Sequence, residues 1–149
     1  MVMILTTPIT MQKASRQHNQ TKKGGYAVNI LWVTINVINL KETLYFYQQV
    51  VGLQIQRTLE MGRGNSITFL GDGETKLEII CTNDYKDVDY GDSISLGFEV
   101  DSLEDQMVLV KKEGVKIHSG PYSPAPGMKF FFVSDPNGLK IQFVENSKH

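Results

Sequence analysis

The sequence predicts an α+β domain of two tandem βαβββ modules, each a small curved mixed sheet with a helix on one face. Three observations carry this expectation: a strictly alternating apolar strand from Asn29, a capped helix directly after it, and a second copy of the whole order about 63 residues on.

In the first strand, residues 29–37, alternation places Leu31, Val33, Ile35 and Val37 on one face and Trp32, Thr34 and Asn36 on the other. Asn39 can then cap a helix, with Glu42 three residues on as in a capping box. Leu44, Phe46, Tyr47, Val50 and Val51 give that helix an apolar stripe, and Gly52 ends it. A strand at Leu53–Thr58, a glycine-rich bend at Gly62–Gly64, a strand at Ser66–Leu70, a turn at Gly71–Gly73 and a strand at Lys76–Cys81 complete the module.

The second half repeats this order. Ser93–Val100 alternates, with Ile94, Leu96, Phe98 and Val100 opposite Ser95, Gly97 and Glu99. Ser102 can cap the next helix, Met107, Leu109 and Val110 supply its apolar face, and Gly114 stops it. Val115–His118 mirrors Leu53–Gln56. A proline-rich loop at Gly120–Gly127 follows, read as a lid, and then strands at Lys129–Ser134 and Lys140–Glu145 around the turn Asp135-Pro136-Asn137-Gly138. The offset between copies is 63 from Trp32 to Ser95, 62 from Gly52 to Gly114 and 64 from Glu78 to Gln142. Such consistency over a whole ordered set marks an internal duplication.

Each module leaves one mixed sheet face uncovered, and two such faces need each other, within the chain or across a dimer. Paired, they enclose a cleft floored by Trp32, Thr34, Asn36, Glu78, Ile80, Ser95, Gly97, Glu99, Lys140, Gln142 and Val144. Apolar walls with a few polar groups suit a small molecule.

Composition narrows the function further. The chain has 149 residues, 41% of them hydrophobic and 21% charged, so it can bury a core and is not a disordered segment. With 15 Lys plus Arg against 16 Asp plus Glu, no basic excess favours nucleic acid or an anionic membrane as partner. No uninterrupted apolar run approaches the roughly 18 residues that span a bilayer. The lone Cys81 is most simply a buried thiol and implies a reducing cytoplasm. Of the histidines, His18 and His149 lie near the chain ends, leaving His118 alone in the body, where it has no carboxylate partner fixed by spacing. Residues 1–25 read as a flexible extension, whether a mobile tail, the product of an early start codon or an arm that pairs with a second subunit, and 26–149 as one domain with modules at about 29–82 and 93–146.

The segments "ILWVTINVINLKETLYFYQQVVGL", "SLGFEVDSLEDQ" and "FFFVSDPNGLKIQFVEN", taken with the repeat, resemble the vicinal-oxygen-chelate superfamily of glyoxalases, bleomycin-resistance proteins and ring-cleaving dioxygenases over roughly residues 29–146. The resemblance implies the glyoxalase/bleomycin-resistance-like fold around a central cavity, without implying one reaction. It also implies four metal-ligand positions, one on the first and one on the last strand of each module. Here they hold Trp32, Glu78, Ser95 and Gln142, where the metal-using lyases carry His or Gln, Glu, His and Glu. Only Glu78 matches. An indole nitrogen donates and cannot ligate, and a neutral serine hydroxyl is a poor ligand for Ni, Zn or Fe. The expectation is therefore no metal and no cofactor, the alternative being Ni or Zn on an altered ligand set.

Candidate site residues follow. Glu78 stands on an otherwise apolar strand and, in a dry cleft, gains a raised pKa and the capacity of a general base; the bland reading is a solvated carboxylate. Trp32 offers a flat stacking surface or a packing indole. Asn36, Ser95, Glu99 and Gln142 supply polar ligand contacts; for Gln142 with Ser95 the alternative is mutual satisfaction inside a filled cavity. Tyr122 and Met128 are contacts from the lid. The expected function is a small-molecule binding protein for an apolar or aromatic ligand, working as a homodimer. Two alternatives stand beside it: a glyoxalase-like lyase or isomerase with Glu78 as base, and a degenerate module whose task is assembly with another chain.

Overall fold

A computed structural model describes residues 27–147. The extension read over residues 1–25 lies outside the described residues, as do His18 and His149. The elements run β1 (Trp32–Val37), α1 (Leu40–Tyr45), a π-helical turn (Phe46–Val51), β2 (Ile55–Gly62), β3 (Asn65–Leu70), β4 (Lys76–Cys81), β5 (Ser95–Glu99), α2 (Leu103–Lys112), β6 (Ile117–Ala125), β7 (Met128–Ser134) and β8 (Lys140–Asn146). They build two four-stranded mixed sheets, ordered β1-β4-β3-β2 and β5-β8-β7-β6, so the α+β class and the duplicated βαβββ order are present. In each, the first and last strands of the module pair in parallel and the rest antiparallel.

Both helix starts form as their sequences demand. The Asn39 side chain accepts from the Glu42 amide at 3.1 Å, and the Ser102 hydroxyl from the Asp105 amide at 3.2 Å. The first helix departs from a uniform α-helix: after Tyr45 it widens into a π-turn, which Gly52 closes in the left-handed region at φ +91°. The widened turn carries Phe46, Tyr47 and Val50, all buried.

The strands following each helix start later and run further than read from sequence: Ile55–Gly62 instead of Leu53–Thr58, and Ile117–Ala125 instead of Val115–His118. The Gly120–Gly127 segment is thus a sheet edge as far as Ala125, and only its last two residues turn over into β7. Pro121 and Pro124 are tolerated there because β6 is an edge strand, where a missing N–H breaks no ladder between neighbours. A lid over this face is accordingly corrected to a wall of it.

The two modules join through their helix faces. One buried cluster contains Ile35, Val37, Leu77 and Ile79 from the first sheet and Phe131, Val133, Ile141 and Phe143 from the second, with Tyr47 and Val110 from the helices between. Polar bonds cross the same junction: the Gln106 amide donates to the Val50 carbonyl at 2.7 Å, and the Asn137 amide to the Thr43 hydroxyl at 2.9 Å. Tyr47, fully buried, donates to Asp135 Oδ2 at 2.8 Å, while Asp135 Oδ1 accepts from the amides of Asn137 and Leu139. Leu31, expected on the helix face, lies before β1 and is 60% exposed.

Candidate functional site

Strand register decides which side chains share the uncovered face of the first sheet. Trp32, Thr34 and Asn36 on β1 stand beside Lys76, Glu78 and Ile80 on β4; Phe69 on β3 adjoins Glu78, and Arg57 on β2 adjoins Phe69. Glu78 is the centre of this surface and is only 9% exposed. Its carboxylate accepts a hydrogen bond from the Thr34 hydroxyl on the neighbouring parallel strand. Trp32 meets Phe69 edge-on, ring centroids 5.7 Å apart, and remains 44% exposed, while the Arg57 guanidinium lies 4.5 Å above the Phe69 centroid. Asn36 is half-buried, its carbonyl taken by the Tyr90 hydroxyl. Burial, and secondarily the charge of Asp135, pushes the Tyr90 phenol up to about 12.

The second sheet presents Ser95 and Glu99 on β5, Lys140, Gln142 and Val144 on β8, Phe130 and Phe132 on β7, and Tyr122 on β6. Gln142 lies across Gly97, where an added Cβ would come within 3.4 Å of its Oε1. No hydrogen bond joins Gln142 to Ser95 among the described residues, so these two groups do not satisfy each other. Glu99 is exposed, with the Asn146 amide at 3.5 Å. Phe132, Phe130 and Tyr122 form a chain of rings with centroids 5.7 Å and 5.5 Å apart, and Tyr122 and Met128 are 47% and 38% exposed.

Because the helix faces close the core, one chain does not bring all the candidate residues together. Trp32, Asn36 and Glu78 form one half-site; Ser95, Glu99, Tyr122, Met128 and Gln142 form another on a different sheet. Among the described residues no hydrogen bond or aromatic pair links the two open faces. A groove of about 950 Å³ lies elsewhere, between the π-turn and the end of α2, where the Tyr45 hydroxyl donates to Glu113 at 2.8 Å; it contains none of these residues. His118 is exposed on β6, and Cys81 is half-buried on the helix face, its thiol 3.7 Å from the Ile38 carbonyl.

Sequence reasoning passed over Arg57, Phe69, Phe130 and Phe132. Phe69 was within reach of alternation along 65–70. The run Phe130-Phe131-Phe132 conceals which rings face outward, and Arg57 sits beside a break in register between Ile55 and Arg57 that no periodicity foretells.

These features place the chain in a known class of paired βαβββ proteins. Residues 29–143 match the model of the Glyoxalase/Bleomycin resistance protein/Dioxygenase superfamily, and the chain belongs to that family. It is 31% identical over 127 residues to a lactoylglutathione lyase of Haemophilus influenzae, covering 80% of this chain and 93% of the relative. Among solved structures, glyoxalase I of Leishmania major superposes with a TM-score of 0.68 at 22% identity, covering 80% of this chain and 87% of that one. TnmS3, an antibiotic binding protein from Streptomyces sp. CB03234, superposes with a TM-score of 0.64 at 18% identity, covering 81% and 98%.

The four family ligand positions hold side chains whose chemistry does not suit a metal. Trp32 presents an N–H donor, Ser95 a neutral hydroxyl and Gln142 an amide carbonyl, while the one carboxylate, Glu78, already accepts from Thr34. Among the described residues no three of His, Cys, Asp or Glu converge elsewhere. One carboxylate and one amide do not fit a tightly held divalent ion.

Proposed function

We propose that the protein binds an apolar or aromatic small molecule without a metal, in a cleft formed where the first sheet of one copy meets the second sheet of another. The supporting observation is the pair of first-strand positions: an indole and a hydroxyl, Trp32 and Ser95, stand where the metal-using lyases carry His or Gln and His. The rest of both faces is built for ring contact, with Trp32, Tyr122 and Met128 exposed beside Phe69, Phe130 and Phe132. The fold itself serves both a glyoxalase I and an antibiotic binding protein, so the side chains decide between them. In this reading Trp32 stacks on the ligand, Gln142, Ser95, Asn36 and Glu99 orient its polar groups, and Glu78 accepts a hydrogen bond from it. No helix among the described residues is long and apolar enough to cross a membrane, and the single thiol accords with a reducing cytoplasm.

Native mass spectrometry of the purified chain tests subunit count, retained ligand and metal in one measurement. A dimer free of stoichiometric Ni, Zn or Fe is the expected result. One tightly held ion per chain, removed by chelator together with lactoylglutathione lyase activity, overturns it. That outcome would establish the second reading, a metal-dependent lyase with Glu78 as base, which the 31% identity to a lactoylglutathione lyase and the retained carboxylate favour.

A further inference from the structure

We infer that the ligand is a planar aromatic carboxylate, and that Arg57 selects for it. The inference rests on the proposed binding role and names the ligand class for that same site. The Arg57 guanidinium packs over the Phe69 ring, its central carbon 4.5 Å from the centroid, and no carboxylate pairs with it among the described residues. A planar, weakly hydrated fork of this kind takes a carboxylate through two parallel hydrogen bonds.

The strand order supplies a ruler. Across the sheet Glu78, Phe69 and Arg57 occupy adjacent strands β4, β3 and β2. Two strand spacings separate the backbones of Glu78 and Arg57 by about 10 Å, and the Arg57 side chain reaches back over the phenyl ring that lies between them. A flat molecule of up to about two fused rings fits within that span, presenting its carboxylate to Arg57, its ring to the exposed Trp32, and a hydroxyl donor to Glu78. The charges divide accordingly: Glu78 is buried and bonded to Thr34, whereas Arg57 is exposed.

The second half-site reaches the same arrangement by a different route. Phe132, 63 residues after Phe69, lies beside Gln142 as Phe69 lies beside Glu78, and Lys140 Nζ stands 5.8 Å from its centroid. This cation comes from the last strand of its module, whereas Arg57 comes from the second. Position 120, at the same offset from Arg57, is a glycine. A cation beside a ring is therefore not inherited through the duplication but built separately on each face.

Calorimetric titration of the full chain with 6-hydroxy-2-naphthoate and with its uncharged carboxamide tests the inference. The naphthoate should bind more tightly than the amide. Arg57→Gln should weaken the naphthoate by about tenfold or more and leave the amide unchanged, and Arg57→Lys should recover part of the loss. Equal or tighter binding of the amide to the natural chain overturns the charge preference while preserving aromatic binding. Binding of neither probe overturns both this inference and the role it rests on. Arg57 is exposed on an edge strand, and far-ultraviolet circular dichroism of the variants verifies that each is folded.

Discussion

Replacing Tyr47 by Phe probes the junction that turns the helix faces inward. The substitution removes one hydroxyl, fully buried and donating to Asp135 Oδ2 at 2.8 Å, and leaves that oxygen facing a ring edge. Asp135 keeps its two backbone donors on Oδ1, so the loss is one hydrogen bond to a charged group, about 1.5–3 kcal/mol. Taking about 2 kcal/mol, the melting temperature should fall by about 6 °C for a chain of this size. The pH dependence is more discriminating. Burial, and then the Asp135 charge, hold the Tyr47 phenol well above its ordinary value of 10.0. A folded pKa above the unfolded one means that stability is whole below pH 10 and declines as the unfolded chain ionises, at about 1.4 kcal/mol per pH unit. The Phe variant lacks that decline. A gap of about 2 kcal/mol at pH 8 should therefore start to close near pH 10 and vanish near pH 11.5. Urea unfolding followed by far-ultraviolet circular dichroism measures both curves. A gap that stays constant from pH 8 to 11.5, or one below about 0.5 kcal/mol at pH 8, refutes this account of the junction.

Glu78→Gln retains an acceptor for the Thr34 hydroxyl, so the unfolding free energy should change by less than about 1 kcal/mol while naphthoate affinity changes; collapse of the fold would show that the carboxylate is structural. Trp32→His, Ser95→His and Gln142→Glu together should give a protein that retains about one Zn per chain after dialysis, measured by plasma mass spectrometry, against none for the natural chain. An equally metal-free triple variant would show that these positions do not converge even between copies. Gly52→Ala introduces a Cβ with nothing within 4 Å of it at φ +91°, so its cost is purely conformational, about 1 kcal/mol by urea titration; a neutral result would mean that the π-turn closes differently.

The parts of the structure legible in the sequence are those governed by short-range patterns. Strict alternation read β1 and β4 onto their correct faces, and Asn39 and Ser102 make the caps their spacing implied. The turn at 135–138 forms through the Asp135 side chain, a local Asx bond that any Asp-Pro-Asn-Gly segment invites. Long-range choices were less legible. Whether Phe46, Tyr47 and Val50 lie on an α-turn or a π-turn depends on one extra residue of slack, which leaves the apolar spacing nearly unchanged. The extended edge strands β2 and β6 are held by pairing to β3 and β7, so their lengths follow from partners rather than from their own composition. Most consequentially, the stripes on both sides of each sheet contain apolar residues. Periodicity names the two faces but not which one meets the other module.

That last choice separates folding from site formation. With the helix faces buried in one cluster, a single chain completes its core without using Trp32, Glu78, Ser95 or Gln142. Those residues can therefore depart from the family's ligand pattern without the fold being lost. The same division links the proposed binding to association. A cleft assembled from half-sites on two copies exists only in the dimer, so ligand and partner stabilise each other by mass action. Ligand should raise the dimer fraction at fixed protein concentration, and dilution below the dimer dissociation constant should weaken apparent ligand affinity by the fraction of chains left single. A site lying wholly within one chain predicts neither dependence. Titrating 6-hydroxy-2-naphthoate at two protein concentrations that straddle the monomer–dimer transition distinguishes the two cases: identical isotherms place the site within one chain and reject the shared cleft.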